Sequence, residues 1–498
     1  MNEWAELDRA LAAMAASGST EVREDGEWLD ELAELRWELR EHGKNALVHL
    51  WSDERNLTRR VLRIREQSQS RIVLEVQRFG RIRPSRLEFL RKDSPHPAGR
   101  ARRERFRAHL RRILGERFPD ATIDLLTVAP DLEHSFSGSY VRGRMHETSH
   151  AWAVLAVAPG ENAPTMEGAL AFGLLWLDWA RSHTERHAIK GLRLFAPEAA
   201  SKLLRGRTRA LSPNACVEIF ELRESDGKTQ QADAADAGNL ESWLVPRREI
   251  ESACAAAREA IGRIHALALH MPPAGNEITT RLRPGSSDVA LCFRGLEFGR
   301  WSTGGIKFGL DGLQENLTGE NENALDRLMR SLDAHRNPFV GDTTHLLYRA
   351  APERWLETFV LQDPTRLDAQ LDGTHFYSQV PAVSAGDRGV IDLLGITRRG
   401  RLVIIELKAS EDIQLPMQAI DYWLRVRGHQ REGDFERYGY FAGVQLDSKP
   451  PLVWLVAPGL RFHPSTETLL KYLSPEIQIT RIGLNENWRS GLRVVFRQ

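Results

Sequence analysis

Two apolar runs near the carboxyl end of the chain, joined by a short polar turn, constrain the fold more than any other feature. The first run carries Asp392 and the second carries the triplet Glu406 to Lys408, within GVIDLLGITRRGRLVIIELKAS. Between the runs, Gly400 offers the backbone freedom that a tight reversal needs. A hairpin centred on Arg399 places Asp392 directly opposite Glu406, with their Cβ atoms roughly 5 Å apart.

Two carboxylates at that separation repel each other unless a cation lies between them, and oxygen-rich sites of this kind suit Mg²⁺ or Mn²⁺. Lys408 follows Glu406 by two residues, so the period of a strand directs both side chains to one face. The run VIIELK is typical of a strand buried on both faces, where a Glu and a Lys are costly unless metal or partners compensate them. The pattern predicts a metal site with a lysine beside it. An ordinary exposed ion pair between Glu406 and Lys408 is the alternative.

The same residues carry a family resemblance. Asp392, Glu406 and Lys408 match the D…(D/E)xK pattern, and the C-terminal domain resembles the PD-(D/E)xK nuclease superfamily, which has the restriction-endonuclease-like fold. The resemblance covers Pro352 to about Leu484, with Ile391 standing where the superfamily name has proline.

Further positions extend this resemblance. Gln418 and Tyr422, an i, i+4 pair on the following helix, are similar to the QxxxY feature of the RecB-like branch and of archaeal-type single-strand endonucleases. Glu357 stands where the superfamily often has an acid in its first helix. Gln379 stands where relatives often carry a glutamate, which counts against a second metal ion.

The resemblance implies an enzyme, a metal-dependent nuclease that hydrolyses phosphodiester bonds of DNA, in repair, recombination or defence. Asp392, Glu406 and the backbone carbonyl of Leu407 would hold Mg²⁺ or Mn²⁺. Lys408 would orient or deprotonate the attacking water, and the Gln418 and Tyr422 pair would hold the lysine or the phosphate. Two alternatives stay open: a non-catalytic nucleic-acid-binding scaffold, and a nuclease subunit that is active only within a partner complex.

Charge is distributed unevenly along a chain whose net charge is zero. Residues 1–54 contain 14 acidic and 5 basic residues, whereas residues 55–117 contain 20 basic residues, 19 of them arginine, and 6 acidic ones. The planar fork of arginine suits bidentate phosphate contact, so the basic segment predicts a nucleic-acid surface, with a solvated charged face as the alternative. The candidate contacts here and in the later segment HSFSGSYVRGR are Arg59, Arg63, Arg78, Arg81, Arg83, Arg102, Arg103, Tyr140 and Arg142.

An internal repeat is the second large signal. The segments LRLFAPEAASKLLRGRTRALSPNACVEIFEL and LVWLVAPGLRFHPSTETLLKYLSPEIQITRIGL each predict a strand ending in Ala-Pro, a helix ending at Leu-Ser-Pro, and another strand. Aligned backwards from there, Ala156 falls opposite Glu406, Ala158 opposite Lys408, and the segment 140–142 opposite Asp392. The first copy is therefore predicted to be a degenerate domain that keeps the fold and lacks catalytic residues.

These signals predict a multidomain α/β protein. Its predicted parts are an acidic helical segment (1–45, with 27–42 an amphipathic helix), a β-rich basic module (46–92), the degenerate nuclease-like domain (93–224), a linker (225–245), a helix with a second β-rich module (246–345) and the nuclease domain (346–498).

Composition excludes several other classes. The three cysteines lie far apart with no CxxC spacing, which argues against a zinc site and a disulfide framework. The amino-terminal segment lacks the apolar core of a signal peptide, and no apolar run is long enough to span a bilayer. We expect a cytoplasmic protein with DNA and not a membrane as its partner, assembled as a monomeric pseudo-dimer or as a homodimer.

Overall fold

The computed structural model describes residues 3–16, 20–32, 35–42, 45–51, 56–78, 83–91, 99–131, 133–183, 187–223, 229–233, 242–267, 278–283, 286–310, 314–384 and 387–498. The fold is mixed α/β with several sheets, as the sequence predicts at this level. The chain forms two compact units. The first comprises 1–172, 179–197 and 220–230, and the second comprises 173–178, 198–219 and 231–498.

The first unit begins with an antiparallel sheet of seven strands in the order β2-β1-β7-β6-β5-β4-β3. Its elements are α1 (Glu3–Ala16), β1 (Thr20–Glu24), β2 (Glu27–Glu31), β3 (Arg36–His42), β4 (Asn45–Trp51), β5 (Asn56–Gln67), β6 (Arg71–Arg78) and β7 (Ser85–Arg91). Apolar side chains such as Val61, Leu74 and Phe89 form one core with Leu7 and Leu11 of α1. Alternation of apolar and charged residues along the strands explains this one-sided burial.

The predicted helix over residues 27–42 is wrong, because this segment forms β2 and β3. The spacing of Leu32, Leu35 and Leu39 fits a helical face, but a turn at Asp25-Gly26 folds β2 back onto β1. Both turn residues have positive φ, 54° and 87°, which is the geometry of a two-residue hairpin and which the Asp-Gly dipeptide favours. Within the predicted helical segment 1–45, the described helix is α1.

A six-stranded sheet follows in the order β13-β12-β11-β10-β9-β8. Its elements are α2 (Gly99–Arg117), β8 (Thr122–Thr127), β9 (Tyr140–His146), β10 (Ala151–Val157), α3 (Ala163–Ser182), β11 (Ile189–Pro197), α4 (Glu198–Thr208), β12 (Val217–Leu222) and β13 (Thr229–Gln231). Strands β8, β9 and β10 are antiparallel, and β11 runs parallel to β10. Strand β10 is buried along its whole length.

The next part of the chain contains a small antiparallel sheet, in the order β15-β16-β17-β18-β19, and short helices. The elements are β14 (Ser242–Leu244), α5 (Arg247–Ala256), α6 (Arg258–Leu267), β15 (Ile278–Leu282), β16 (Val289–Phe293), β17 (Leu296–Ser302), β18 (Gly305–Phe308), β19 (Glu315–Asn316), α7 (Glu322–His335) and α8 (Leu346–Arg349). Within residues 246–345, helices α5 and α6 come before this small sheet. The predicted linker 225–245 contains β13 and β14, and its other segments lie outside the described residues apart from 232–233 and 245.

The C-terminal sheet has the order β14-β20-β21-β22-β23-β24-β25. Its elements after β14 are α9 (Pro352–Gln362), β20 (Leu371–Ser384), β21 (Asp387–Thr397), β22 (Leu402–Leu407), α10 (Leu415–Glu432), α11 (Asp434–Arg437), β23 (Leu452–Pro458), α12 (Thr466–Lys471), β24 (Ile479–Leu484) and β25 (Val494–Arg497). Strands β20 to β22 are antiparallel, and β22 to β24 are parallel. Leu356, Leu393, Ile405 and Val456 are fully buried in its core.

The six-stranded and C-terminal sheets are built in the same order. In each, a helix precedes three antiparallel strands, a helix leads to a strand parallel to the third, and a further helix leads to the next strand of the sheet. This is the order in which the two sequence segments repeat. Among the described residues, no helix combines the length and the apolar character needed to cross a membrane.

Candidate metal centre

The β21–β22 hairpin fixes the two acidic residues in the predicted register. Leu393 pairs with Ile405 and Ile396 with Leu402, so one further step places Asp392 beside Glu406. Gly400 has φ +77°, and a Cβ there would lie 2.3 Å from the backbone oxygen of Gln445. Only glycine fits a position that combines positive φ with so close an approach.

Burial makes this pair of acids electrostatically costly. Glu406 is 2% exposed, in a strand buried along its whole length. Burial raises the pKa of Glu406 well above its ordinary value, and the adjacent carboxyl of Asp392 raises it further. Burial also raises the pKa of Asp392, although the guanidinium of Arg354 opposes the shift. Two neighbouring buried acids with raised pKa values form a group that a cation would stabilise.

Three donors lie against these acids. Lys408 Nζ lies 3.5 Å from Glu406 Oε1 and 3.3 Å from a carboxylate oxygen of Asp412. Burial lowers the pKa of Lys408, but Glu406, Asp412 and Asp392 outweigh burial and raise it, so the amine is a cation at neutral pH. The backbone amide of Leu407 donates to Asp392 Oδ2 at 3.4 Å, and Arg354 Nη1 donates to Asp392 Oδ1 at 3.3 Å.

Helices α9 and α10 carry the other predicted residues, and the charge of Asp392 acts on Glu357 and Tyr422. Glu357 on α9 is buried, and burial followed by the charge of Asp392 raises its pKa to about 7. On α10, burial raises the pKa of Tyr422, and Glu406 and Asp392 raise it further because they lie nearby. Gln418 lies one turn before Tyr422 on this helix. The side chain of Gln379 lies outside the described residues.

The oxygen atoms at this place fit a divalent cation. Glu406 Oε2 and Gln418 Oε1 are buried and have no hydrogen-bond partner within the described chain. Buried oxygens without partners cost free energy unless a cation or water satisfies them. Carboxylate and carbonyl oxygens are the ligands that Mg²⁺ and Mn²⁺ prefer. Asp392, Glu406 and the carbonyl of Leu407 therefore form a suitable set.

The sequence analysis did not identify Arg354 as part of this site. Its Nη1 donates to Glu357 Oε2 at 2.7 Å as well as to Asp392, so one guanidinium bridges acids from α9 and β21. The spacing of three residues between Arg354 and Glu357 on one helix was the available signal.

A second group of acidic and imidazole side chains could also hold a metal ion. Ligand atoms of His429, Glu432 and Asp434 lie within 4.8 Å of one another. However, His429 Nδ1 lies 2.7 Å from Asp434 Oδ2, and Arg437 donates to Asp434 Oδ1 at 2.8 Å. The buried members of this group already satisfy one another at the carboxyl end of α10, and Glu432 is exposed.

Three of the predicted nucleic-acid contacts are buried, so the exposed role predicted for them is wrong. Tyr140 is 3% exposed, and its hydroxyl donates to the Thr165 carbonyl at 2.7 Å. Arg142, also 3% exposed, donates to backbone carbonyls, and burial lowers its pKa to about 10. Arg103 is 6% exposed, with Nε 3.9 Å from Glu161. Each side chain is used inside the first unit.

Two further arginines of the basic segment bind an internal acid. Glu24 is 1% exposed and accepts hydrogen bonds from Arg59 at 2.9 and 3.0 Å, from Arg78 at 2.8 Å and from Ser85 at 2.7 Å. Burial opposes ionisation of Glu24, but these hydrogen bonds outweigh burial and lower its pKa to about 2. Arg59 and Arg78 therefore neutralise a buried carboxylate of the first sheet.

We expect Glu24→Gln to lower the free energy of unfolding by about 2–3 kcal/mol at pH 7. Since the folded pKa lies below the unfolded value of 4.5, this stabilisation is complete above pH 4.5 and is lost as the pH falls toward 2. Urea unfolding at pH 7 and at pH 3 measures it, with Glu116→Gln as an exposed control. A wild-type advantage that did not shrink at pH 3 would contradict the assignment.

Three of the remaining four predicted contacts keep some exposure. The side chain of Arg63 is 56% exposed and pairs with Glu75 at 2.8 Å. That of Arg102 is 36% exposed, donates to Glu161 at 3.0 Å and stacks 5.0 Å from the Trp28 ring. Arg83 is exposed, and Arg81 lies outside the described residues. Phosphate contact by these four stays a prediction.

The corresponding positions of the six-stranded sheet carry no acids. Ala156 pairs with Val141 across β9 and β10, at the place where the C-terminal hairpin has Glu406 and Asp392. Val141, Ala156 and Ala158 are all buried. Methyl and isopropyl groups cannot ligate a metal ion.

No protein-family model matches the chain, and no curated protein matches it at a significant level.

Proposed function

We propose that the chain is a metal-dependent nuclease, which hydrolyses phosphodiester bonds of DNA with Mg²⁺ or Mn²⁺ in its C-terminal domain. The observation that carries the proposal is the hairpin register that sets Asp392 beside Glu406 in a buried sheet, with Lys408 next to them. The buried, unpartnered Oε2 of Glu406 supports a cation there. We propose a restriction-endonuclease-like fold for this domain, and its order of a helix, three antiparallel strands, a helix and a parallel strand supports that proposal.

A divalent cation held by Asp392, Glu406 and the Leu407 carbonyl would lower the pKa of a bound water and offset charge on the phosphate. Lys408, a cation at neutral pH, would orient the water and stabilise the developing negative charge. Gln418 and Tyr422 would hold the lysine or the phosphate in place. Glu357, with a pKa of about 7, can hold or release a proton at neutral pH.

Cleavage of labelled nucleic acids tests this proposal directly. The panel contains single-stranded, duplex, branched and mismatched DNA together with an RNA strand of the same sequence, each in Mg²⁺, in Mn²⁺ and in EDTA. We expect cleavage of DNA in the presence of either metal and none in EDTA. Binding without cleavage in every metal would favour the non-catalytic scaffold.

We propose further that the six-stranded sheet is a degenerate copy of this domain. Supporting contacts lie within the second unit, which includes the α4 segment 198–219. The Ser212 amide donates to the Tyr472 carbonyl and the Ser474 amide donates to the Ala210 carbonyl, both at 2.8 Å. Because Ser212 and Ser474 belong to the two Leu-Ser-Pro turns of the repeat, equivalent residues of the two segments make reciprocal backbone contacts.

This reciprocity predicts a monomer with one competent site. Such a protein cuts one strand per binding event, so supercoiled plasmid should pass through a long-lived nicked form before linear product accumulates. A plasmid time course in Mg²⁺ measures the intermediate, and light scattering measures the mass. Direct linearisation by a protein that scatters as a dimer would instead show pairing of two C-terminal domains.

A further inference from the structure

Arg354 holds a position that the proposed chemistry does not explain. It lies in the first turn of α9, and its Nη1 contacts Glu357 Oε2 at 2.7 Å and Asp392 Oδ1 at 3.3 Å. Burial opposes the charge on Arg354, but Glu357, Asp392 and Glu406 outweigh burial and raise its pKa. The guanidinium therefore stays charged and compensates acids that include a proposed metal ligand.

The backbone of Arg354 is fixed, whereas its guanidinium has space to move into. A Cβ on Gly295, in the β16–β17 turn, would lie 2.2 Å from the Arg354 carbonyl oxygen, so the turn packs directly on the backbone of α9. The side chain of Arg354 is 33% exposed and lines a cavity of about 400 Å³. Arg281, Thr279, Thr280 and Thr358 line the same cavity.

We propose that Arg354 is an internal counter-ion of the carboxylates, which a divalent cation displaces into this cavity, where the guanidinium binds a phosphate group of the DNA. The inference rests on the proposed nuclease function. A guanidinium and a divalent cation repel each other at a few ångströms in a partly buried site, so they do not share the Asp392 carboxylate. The displaced guanidinium meets a second arginine, Arg281, and threonine residues, which are side chains that recognise phosphate.

Two effects of removing the Arg354 guanidinium, one on metal affinity and one on DNA affinity, distinguish this role from a structural one. Without the guanidinium, the metal ion no longer competes for Asp392, so metal affinity increases. The phosphate contact is lost at the same time, so DNA affinity and cleavage decrease. A residue that only supports the fold would lower metal affinity and DNA affinity together.

Isothermal titration with MnCl₂ at pH 8, without DNA, tests the expected increase in metal affinity. We expect Arg354→Met to bind Mn²⁺ about tenfold more tightly than the wild type, and Arg354→Lys to bind it within about threefold of the wild type because the positive charge remains. Arg366→Met is the matched control, since this arginine of the same domain is 54% exposed and pairs with Asp363 instead. Its affinity should equal that of the wild type.

Fluorescence anisotropy with a labelled DNA oligonucleotide in Ca²⁺ tests the expected decrease in DNA affinity. The salt dependence of binding should lose about one unit of slope in Arg354→Met, because one phosphate contact is gone. Mn²⁺ affinity that is unchanged or weaker in folded Arg354→Met, or in Arg354→Gln if the methionine variant does not fold, overturns the inference. Absence of Mn²⁺ binding by the wild type, or binding that Asp392→Asn leaves intact, overturns the proposed function instead.

Discussion

Replacing Asp392 or Glu406 by alanine is expected to reduce Mg²⁺-dependent cleavage at least about 10³-fold, because each substitution removes a ligand of the proposed metal ion. Single-turnover cleavage of a labelled DNA substrate measures the loss. Thermal stability in EDTA should stay the same or increase, since deleting one of two adjacent buried acids relieves their repulsion and removes a desolvated group. Lost cleavage together with retained stability separates loss of a ligand from loss of the fold.

The exposed Glu432 provides the matched control. It belongs to the other group of side chains whose geometry could hold a metal ion, with His429 and Asp434. We expect Glu432→Ala to cleave DNA at the wild-type rate. Cleavage that survived Asp392→Ala and was abolished by Glu432→Ala would move the metal centre to the carboxyl end of α10.

The register of the candidate site was predictable because it depends on local chemistry. A glycine with positive φ sets the turn, and the period of two then determines every pair up to Asp392 and Glu406. The same local chemistry was present at Asp25-Gly26, where it indicated a hairpin, yet the leucine spacing in residues 27–42 favoured a helix. The turn signal was correct there, because pairing with β1 and β4 outweighed helical amphipathicity.

The errors in the predicted nucleic-acid surface have a different origin. An arginine-rich segment shows how much positive charge is present but not which side chains the fold uses internally. Arg59 and Arg78 neutralise Glu24, which lies 35 and 54 residues earlier in the chain. Tyr140 and Arg142 lie on a strand between two others, and their burial depends on packing that the strand's own sequence does not encode.

Arg336 is a second internal arginine, and it connects the small sheet to the helix that carries Glu357. It is 0% exposed and donates to the carbonyls of Arg294 at 2.9 and 3.1 Å, Leu347 at 2.9 Å, Ala350 at 2.6 Å and Ala351 at 3.3 Å. Burial lowers its pKa to about 9, so it remains charged at neutral pH. Carbonyl dipoles of the β16–β17 turn, of α8 and of the residues just before α9 therefore satisfy this buried cation.

We expect Arg336→Met to lower the free energy of unfolding by about 3–5 kcal/mol, because it removes a buried donor from the carbonyls of Arg294, Leu347 and Ala350. Urea unfolding at pH 7 measures the loss. Arg330→Met, on helix α7 just before Arg336 but 61% exposed, should change stability by no more than about 0.5 kcal/mol. Since Ala351 has φ +42° immediately before α9, losing its hydrogen bond should also release the first turn and displace Arg354 and Glu357. Cleavage by the fraction that remains folded should then decrease as well, whereas wild-type cleavage by a destabilised Arg336→Met would show that α9 is positioned without this arginine.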